Sequence, residues 1–357
     1  MRIFAKRTPA ETTQSPQPVD LSIIIVSWNV WDLLRACLAS IERASQPAPA
    51  DAPAASVDLP KMRCLDTGAK VYTLEVIVVD NASSDASADL VPARFPWVHL
   101  VRSAENLGFT KGNNLGYAQA AGRFIYFLNP DTELAEESLA RLLRALVDEP
   151  TVGMVGPRLR YGDGMIQNSR RRFPTRLTGF FESTWLGQWW PSNPWAVHMH
   201  MLDWPDDQRH DVDWLVGAAM LARRDALEQI RPPGAAGPFD EGFFMYSEEL
   251  DLCKRIKDAG WRIVFVPEAL VVHYEGRSSG QVVAARHIYF NRSKVCYYEK
   301  YFGHAWAEAL RRFLLFEFRW QRLVERCKRA LRHKRALRSA RIAVYDEVIE
   351  SALTPNR

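Results

Sequence analysis

Apolar residues in the first 135 positions of the chain fall into four short runs, and each run ends on polar residues. The runs are LSIIIVS from Leu21, LEVIVVD ending on Asp80, VHLVRS from Val98 and FIYFLNPD ending on Asp131. Short β-branched runs bounded by turn residues are typical of strands. The pattern therefore predicts four β-strands, of which the first begins at about Leu21.

The segments around these runs show helical periodicity. Residues 30–44 (VWDLLRACLASIERA) and 133–150 (ELAEESLARLLRALVDEP) carry apolar side chains at three- and four-residue spacing. Residues 81–91 (NASSDASADLV) contain serine and aspartate side chains able to cap a helix. This alternation predicts right-handed βαβ units, and so an α/β fold with a mostly parallel central sheet flanked by helices.

Composition suggests how the chain is divided. Residues 45–70 include the run SQPAPADAPAASVDLP, whose Ala, Pro and Asp content predicts a flexible surface insertion. No strand or helix pattern precedes residue 20, so residues 1–19 are expected to be disordered. A folded domain is expected over residues 20–290, with halves at 20–135 and 136–290. A helical extension is expected over residues 291–357.

Several classes of protein are excluded by what the chain lacks. The longest apolar runs, IIIV at 23–26 and LVGAAMLA at 215–222, are far shorter than the roughly 18 residues of a membrane-spanning helix. The first twenty residues do not resemble a secretory signal. Five cysteines without paired CxxC spacing argue against a disulfide framework and a zinc cluster. A cytoplasmic protein with small, buried cysteines is expected.

Positive charge is concentrated near the C-terminus. Residues 311–341 contain twelve Lys or Arg and two Glu, a charge of +10, which leaves −6 for the rest of a chain whose formal total is +4. Apolar residues recur there at helical spacing, which predicts a basic amphipathic helix. Its apolar face would carry Phe313, Phe316, Trp320, Leu323, Val324, Cys327 and Leu331.

Two roles for this helix remain open. It would either pack on the catalytic domain with a solvated outer face, or attach to an anionic membrane surface through residues 305–341. Nucleic acid is not expected as a partner, because the rest of the chain is acidic and no recognition motif is present.

Polar clusters follow three of the predicted strands, at 27–29, 80–85 and 129–131. A turn or a helix cap would explain each cluster singly. Ligands of open α/β sheets, however, bind outside the carboxyl ends of the strands, where all three clusters fall. Neither G-x-G-x-x-G nor a P-loop is present, so a bound diphosphate would need another counter-charge, most simply a divalent metal on Asp131.

Seven motifs in order over about residues 20–302 resemble glycosyltransferase family 2, in particular its bacterial rhamnosyltransferase-like members. They are LSIIIVSWN, EVIVVDNASSD, ENLGFTKGNN, FLNPDTEL, WLVGAAMLARRDAL, FDEGFFMYSEELDLCKR and VVHYEGRSS. The resemblance implies a GT-A fold, with a nucleotide-binding half at 20–135 and an acceptor-binding half at 136–290. It also implies inversion at the anomeric carbon and Mg²⁺ or Mn²⁺ as cofactor.

The same resemblance implies a donor site. Asp80 matches the position that contacts the pyrimidine base, and Asn106 and Asn114 match a loop that closes over nucleotide and sugar. Asp131 matches the last acidic residue of the D-x-D element, which holds the metal, and His273 a histidine that completes the metal site in some relatives. The full expected nucleotide and donor set is Val26, Ser27, Asn29, Asp80, Asn81, Asn106, Gly108, Asn114, Asn129, Asp131, Trp214 and Gly217.

A carboxylate base is expected from the chemistry, since the attacking acceptor hydroxyl must lose its proton. Glu248, Glu249 and Asp251 lie within about one helical turn. The base of the family aligns with Glu249, and Glu248 or Asp251 is the alternative; clustering can raise a carboxyl pKa to a useful range. A helix start favoured by the dipole would also explain three acidic residues here. The run QNSRRRFPT at 167–175 has three arginines, whose side chains would meet either phosphate or water.

Together these features predict an inverting, metal-dependent glycosyltransferase. The expected donor is dTDP-rhamnose, or else another dTDP- or UDP-sugar. The expected acceptor is a polyprenyl-linked or growing polysaccharide glycan, which would place the enzyme at the inner face of the cell membrane. The alternative is a non-catalytic module of the same fold that binds a nucleotide sugar or a glycan.

Overall fold

The computed structural model describes residues 19–48, 62–274 and 283–354. All but the last residue of the expected disordered segment, and the middle of the expected insertion, lie outside the described residues. The described strands are β1 (Leu21–Ser27), β2 (Gln46–Pro47), β3 (Arg63–Asp66), β4 (Val71–Asp80), β5 (Val98–Arg102), β6 (Phe124–Leu128), β7 (Thr132–Leu134), β8 (Val152–Arg160), β9 (Ile166–Gln167), β10 (Arg170–Arg171), β11 (His210–Asp211), β12 (Trp214–Leu215), β13 (Ala219–Arg223) and β14 (Arg262–His273). The described helices are α1 (Trp31–Ala44), α2 (Ser87–Arg94), α3 (Gly108–Gln119), α4 (Ser138–Val147), α5 (Thr178–Phe181), α6 (Trp185–Trp189), α7 (Pro194–His200), α8 (Arg224–Ile230), α9 (Glu248–Asp258), α10 (Val283–Phe302), α11 (His304–Ala330) and α12 (Arg335–Glu350).

Twelve of the described strands form one sheet. Its main path runs β11-β14-β8-β13-β6-β1-β4-β3-β2, with β5 beside β4, β7 beside β14 and β9 beside β8. The four predicted strands are β1, β4, β5 and β6, and they run parallel to their neighbours in this group. Their carboxyl ends therefore meet at one edge, as the sequence predicts.

The second half of the sheet is mixed. Strand β13 is antiparallel to both β6 and β8, whereas β14 is parallel to β8 and antiparallel to β7. The first half is thus parallel except at β2 and β3, the second half contains both directions, and β13 is the strand that joins the two halves. The α/β class and the flanking helices are confirmed.

Helices cover both faces of the sheet, which explains why β1 is buried along its whole length. Successive side chains of a strand point to opposite faces. Ile23 belongs to a core cluster with Leu34 of α1 and Leu142 of α4. Ile24 belongs to the opposite cluster, with Ile256 of α9. Each cluster is closed to water, so the polar ends of the strands are the accessible part of the sheet.

Three local features differ from the sequence patterns. Helix α4 begins at Ser138 because residues 132–134 form β7, which pairs with β14. The Gly- and Asn-rich segment after β5, expected as a loop, contains α3. The ends of the expected insertion form β2 and β3, which extend the sheet edge in antiparallel register beyond β4. Strand pairing explains β7, which pairs with β14, and also β2 and β3, which pair with each other and with β4.

The basic C-terminal segment folds as two helices, α11 and α12, separated by a turn in which Arg332 and Lys334 have left-handed φ angles of 61° and 44°. The helices are joined by Arg338, whose Nη1 lies 2.9 Å from Glu325 Oε2. The hairpin packs on the second half of the fold through buried Leu310 and other apolar residues of α11. Packing of this extension on the domain is therefore confirmed.

One side of the expected apolar face is nevertheless left exposed. Phe313 and Val324 are half-buried, but five residues along α11 and just after it face solvent. They are Phe316, Trp320, Leu323, Cys327 and Leu331. In the part of the chain that the structure describes, every helix is too short or too polar to cross a membrane.

All five cysteines are free, which agrees with the sequence expectation of no disulfide framework. Cys37 and Cys253 are buried, and burial raises the pKa of each thiol to about 12. They behave as small core residues, as expected. Cys327 does not, since it lies on the exposed side of α11.

Candidate active site

A cavity of about 970 Å³ opens at the carboxyl edge of the sheet. Twelve of the sixteen residues expected in the site line it: Val26, Ser27, Asn81, Asn106, Gly108, Asn129, Asp131, Trp214, Gly217, Glu248, Glu249 and His273. The other four, Asn29, Asp80, Asn114 and Asp251, do not line it. The fold thus gathers residues from both halves of the chain around one space.

An asparagine network shapes one wall. Asn81 Nδ2 donates to Asn106 Oδ1 at 2.9 Å and to the Gly108 carbonyl at 3.1 Å. Gly108 has a φ of +76°, and a Cβ at this position would lie 2.7 Å from Phe244. The tight approach of Phe244 and the positive φ both require glycine here. The loop between β5 and α3 is consequently held in one conformation next to Asn81.

Asn29 and Asp80 lie beside this wall. Asn29 has a φ of 53°, and its Oδ1 accepts from Ser84 N at 2.7 Å and Asp85 N at 3.3 Å. Asp80 Oδ2 accepts from Ser83 N at 3.2 Å, whereas its buried Oδ1 has no partner among the described residues. Asn29 therefore holds the loop after β4 in place. Asp80 keeps one acceptor atom available behind the strand ends.

Asn114 has a structural position. It lies in α3, fully buried, with Nδ2 donating to the Phe239 carbonyl and to Glu241 Oε1 at 3.0 Å each. Its Oδ1 accepts from Phe239 N, also at 3.0 Å. The family resemblance placed Asn114 in a loop that closes over nucleotide and sugar. That expectation is wrong, because the segment is helical and the side chain is hydrogen-bonded to residues 239–241.

Asp131 and His273 form a buried pair at the cavity wall, with His273 Nε2 3.4 Å from Asp131 Oδ1. The two residues meet because β7, directly after Asp131, is antiparallel to the end of β14. His273 Nδ1 lies 2.9 Å from Gln167 Oε1, an acceptor, which directs the ring proton to Nδ1. The lone pair of Nε2 then faces a carboxylate oxygen.

That arrangement fits a cation. A nitrogen lone pair and a carboxylate oxygen repel each other unless a proton or a metal ion lies between them. Within the described residues, no three His, Cys, Asp or Glu side chains converge as a protein-only metal site would need. A single carboxylate such as Asp131 suits an ion such as Mg²⁺, which is commonly bound by one or two carboxylates together with substrate phosphates.

Glu248 and Glu249 enter the cavity from the first turn of α9. The two preceding residues, Tyr246 and Ser247, have φ angles of 69° and 62°, unusual for side chains other than glycine. This strained turn aims the helix start at the cavity. Burial raises the pKa of both carboxyls, of Glu248 well above its usual range, and the Glu249 charge adds to the rise at Glu248.

The two carboxyls differ in the neighbouring groups that oppose the rise in pKa. At Glu249, backbone N–H groups, including those of Leu250 and Gly217, and the Arg171 guanidinium hold the pKa lower. At Glu248 only its own backbone N–H does so. The two carboxyls therefore titrate as a pair, with the pKa of each raised by burial.

Trp214 and Gly217 support this carboxylate. Trp214 Nε1 donates to the Arg172 carbonyl at 2.9 Å, which fixes the indole as part of the wall. A Cβ on Gly217 would lie 3.3 Å from the Cβ of Glu249. The absence of a side chain at residue 217 is what lets Glu249 approach the backbone between β12 and β13.

Asp251 is separated from the cavity. It is completely buried and pairs with Lys300 at 2.6 Å and Arg255 at 2.8 Å. The Tyr301 hydroxyl donates to it at 2.7 Å. Its charge is thus neutralised within the fold, and the sequence alternative that made Asp251 a base is not supported by its position.

Comparison with known proteins agrees with this geometry. Residues 22–230 match the family model described as glycosyl transferase family 2, and the chain belongs to that family. An N-acetylglucosaminyl-diphospho-decaprenol L-rhamnosyltransferase of Mycobacterium tuberculosis is 34% identical over 219 residues, covering 58% of this chain and 69% of the relative. Rhamnosyltransferase WbbL of Escherichia coli is 29% identical, covering 47% and 61%. The expected family is confirmed, and the protein is a glycosyltransferase.

A solved structure also resembles this fold. It is a mannosyltransferase from Pyrobaculum calidifontis in complex with GDP-Man and Mn²⁺, 16% identical, with a TM-score of 0.49 over 96% of this chain and 89% of that one.

Several lining residues were not identified from the sequence. They are Trp28, Phe109, His200, Tyr246 and Lys294. Trp28 and Phe109 lie inside motifs that were recognised, so their neighbours were a usable signal. His200 and Lys294 lie in helices without any such motif, and the sequence alone offers no signal for them.

Proposed function

We propose that the protein is an inverting glycosyltransferase that transfers L-rhamnose from dTDP-rhamnose to a hydroxyl of a polyprenyl-diphosphate-linked glycan. One observation carries the proposal: the Asp131–His273 pair and the Glu248–Glu249 pair line the same cavity. A metal-ligand pair and a carboxylate base are the two parts that direct displacement of a nucleoside diphosphate needs. The named activities of the relatives support rhamnose and a lipid-linked acceptor.

Glu249 is the proposed base. A base must be ionised when it meets the acceptor hydroxyl, and Glu249 is the member of the pair whose charged form Arg171 and several backbone N–H groups favour. Its Oε2 is buried without a partner among the described residues, so it is available to accept a proton. A single proton shared by the buried pair would limit its local charge to one.

Asp131 and His273 are the proposed ligands of Mg²⁺ or Mn²⁺. The bound ion would stabilise the negative charge that develops on the departing nucleoside diphosphate. Asp131 supplies a carboxylate oxygen, and Gln167 keeps the His273 ring turned toward it. Asn81, Asn106 and Ser27 form the polar wall proposed to receive the nucleotide.

The test is transfer from a panel of dTDP- and UDP-sugars to N-acetylglucosaminyl-diphospho-prenol, with and without Mn²⁺. Glu249→Gln is expected to lower the transfer rate by about 10²- to 10⁴-fold while dTDP affinity stays within twofold. Asp251→Asn is the matched control, since it removes a nearby carboxylate that does not reach the cavity. Nucleotide binding without transfer from any donor would instead identify a non-catalytic module, and full activity in Glu249→Gln would exclude this base.

We further propose that the exposed side of α11 contacts an anionic membrane. Phe316, Trp320 and Leu323 are 57%, 53% and 51% exposed on one face of the helix. Exposed arginines, including Arg319 and Arg326, lie beside them. An apolar stripe with cationic neighbours gains from both burial in lipid and attraction to lipid phosphate.

A second exposed apolar element adjoins this stripe. Trp185 begins α6, and its backbone N–H donates to Glu317 Oε1 of α11 at 2.9 Å. Trp189, on the same short helix, is 79% exposed. Tryptophan is enriched at membrane interfaces, where its ring spans the apolar and polar layers. Glu317 also lines the cavity, so this surface adjoins the opening through which a lipid-linked acceptor would enter.

Vesicle sedimentation tests the membrane contact. The double variant Phe316→Ser, Trp320→Ser is expected to lose binding to vesicles containing phosphatidylglycerol, and Leu337→Ser on α12, an equally apolar exposed site, is expected to keep it. Both variants leave the buried side of the hairpin intact, unlike a deletion. Equal binding by the double variant and the unaltered protein would exclude this surface.

A further inference from the structure

The three consecutive arginines of QNSRRRFPT occupy three different environments. Arg170 is buried and donates to the carbonyls of Pro205 at 2.6 Å and Trp204 at 2.8 Å. Arg172 lies 3.7 Å from Asp213 and is not part of the cavity wall. Arg171 lines the cavity. The sequence left open whether these side chains meet phosphate or water, and only Arg171 is placed to meet a substrate.

Arg171 is a cation without a carboxylate partner. Its Nη1 donates to the carbonyls of Asn168 at 2.7 Å and Arg170 at 2.9 Å. It forms no ion pair with the residues that the structure describes. Burial lowers the pKa of Arg171 to about 10, so the guanidinium stays charged at neutral pH. A charge removed from water is costly unless an opposite charge joins it, and a guanidinium matches phosphate oxygens in geometry.

Of the two carboxylates whose charges act most strongly on Arg171, Glu182 is already paired with a lysine, and only Glu249 is left to oppose the guanidinium charge. Lys294 Nζ is 2.7 Å from Glu182 Oε2, and although burial alone would raise the pKa of Glu182, Lys294 holds it at about 2. That pair is therefore ionised and neutral overall. Burial, with Arg171 next, lowers the pKa of His200 to about 4, so the ring is neutral and offers hydrogen bonds without charge. All of these side chains line the cavity.

This group lies on the side of the base. Arg171 in β10 is paired with Trp214 in β12, and a Cβ on Gly217, three residues further on, would lie 3.3 Å from the Cβ of Glu249. The other residues of the group come from α7, from α10 and from the position directly after α5, rather than from the strand ends that hold Asp131. An anion bound to Arg171 would thus lie near the group that deprotonates the acceptor.

We propose that Arg171, with His200, binds the phosphate of a diphosphate-linked acceptor next to Glu249. The proposal rests on the proposed function, because it takes the side of Glu249 as the acceptor side. The same guanidinium chemistry would suit the diphosphate of the donor, so the test has to separate the two sources of phosphate.

The test compares two acceptors that differ in phosphate alone, N-acetylglucosaminyl-diphospho-prenol and an alkyl N-acetylglucosaminide. Arg171→Met is expected to raise KM for the diphosphate acceptor about 10- to 100-fold, the effect of losing a charge-assisted hydrogen bond. KM for the alkyl glycoside and the affinity for dTDP are expected to stay unchanged. Arg171→Lys should be intermediate, and Arg172→Met, one residue away outside the cavity, should match the unaltered protein.

Two results would overturn the proposal. An equal loss with both acceptors would mean that Arg171 acts only through Glu249 or the fold, and a loss of dTDP affinity would assign the guanidinium to the donor. If the unaltered protein transfers to neither acceptor, the proposed function fails, and the subsite is judged by calorimetry with a short-chain prenyl diphosphate. Weaker binding by Arg171→Met supports the subsite, and equal binding rejects it.

Discussion

Asp251 lies two residues after Glu249 on α9, yet its carboxylate is 2.6 Å from Lys300 Nζ and lies outside the cavity that Glu249 lines. Arg255 and Tyr301 complete its surroundings. One helical turn therefore carries two acidic residues with separate tasks. Glu249 faces the cavity, and Asp251 ties α9 to α10.

Asp251→Asn is expected to lower the free energy of unfolding by about 3 kcal/mol, because breaking a buried ion pair leaves Lys300 and Arg255 without their common partner. The kcat of the folded variant should stay close to that of the unaltered protein. Urea unfolding followed by fluorescence, together with kcat, checks both points. A large fall in kcat at unchanged stability would return Asp251 to the list of candidate bases.

Glu248→Gln is expected to change how stability depends on pH. The folded state holds the pKa of Glu248 above its unfolded value, so as pH rises through that interval the unfolded chain releases a proton that the folded chain keeps. The unaltered protein therefore loses stability over this interval, and the glutamine variant does not. Unfolding measured from about pH 4 to 8 should show the two profiles diverging, whereas parallel profiles would contradict the raised pKa.

The acid side of the rate profile should report Glu249. Because burial raises the pKa of this carboxyl, kcat/KM is expected to fall as pH drops, with a midpoint above the ordinary glutamate value of about 4.3. Arg171→Met should move that midpoint upward, since the guanidinium helps to hold the pKa down. Profiles of both proteins with the alkyl glycoside acceptor provide the comparison. An unchanged midpoint in Arg171→Met would mean that the guanidinium does not affect the pKa of Glu249.

The proposed metal ligands should contribute unequally. Asp131→Asn is expected to lower transfer by about 100-fold or more, because it removes the charged ligand. His273→Gln should raise the Mn²⁺ concentration needed for half-maximal activity by about 10-fold. Mn²⁺ binding in the presence of dTDP, followed by electron paramagnetic resonance, gives a readout besides activity. Unchanged Mn²⁺ affinity in both variants would place the ion elsewhere.

Asn114→Ala tests a residue that the sequence assigned to the donor site. The variant leaves the N–H and carbonyl of Phe239 without their side-chain partner, so the free energy of unfolding should fall by about 2 kcal/mol. Affinity for dTDP should not change. Calorimetric titration and urea unfolding distinguish this outcome from a direct contact, which would weaken dTDP binding at nearly unchanged stability.

The sequence was most informative where chemistry and local pattern coincide. Strands β1, β4, β5 and β6 were predictable because each is a short apolar run, and their parallel order placed Ser27, Asn81 and Asp131 at one edge. Family motifs added His273 and the glutamates. These features depend on neighbours in sequence, which a pattern records.

Features that depend on distant contacts were not predictable. Strand β7 exists because β14 pairs with it, and Asn114 is structural because Phe239 passes beside it. Arg170, Arg171 and Arg172 are chemically identical in the sequence, and only the fold decides which of them is buried, paired or open to the cavity. The C-terminal face was predicted correctly as apolar, but the sequence did not decide between packing and exposure, and five of its seven residues remain exposed.

The pairing of β7 with β14 also sets the order in which this protein can become active. Asp131 emerges early in synthesis, whereas His273 ends the last strand of the sheet. The side chains meet through antiparallel register, with His273 opposite Thr132. A nascent chain that has completed its parallel half still lacks half of the proposed ion site. If Asp131 and His273 hold the ion as proposed, the growing polypeptide should remain unable to retain a metal–nucleotide complex until β14 has left the ribosome and docked.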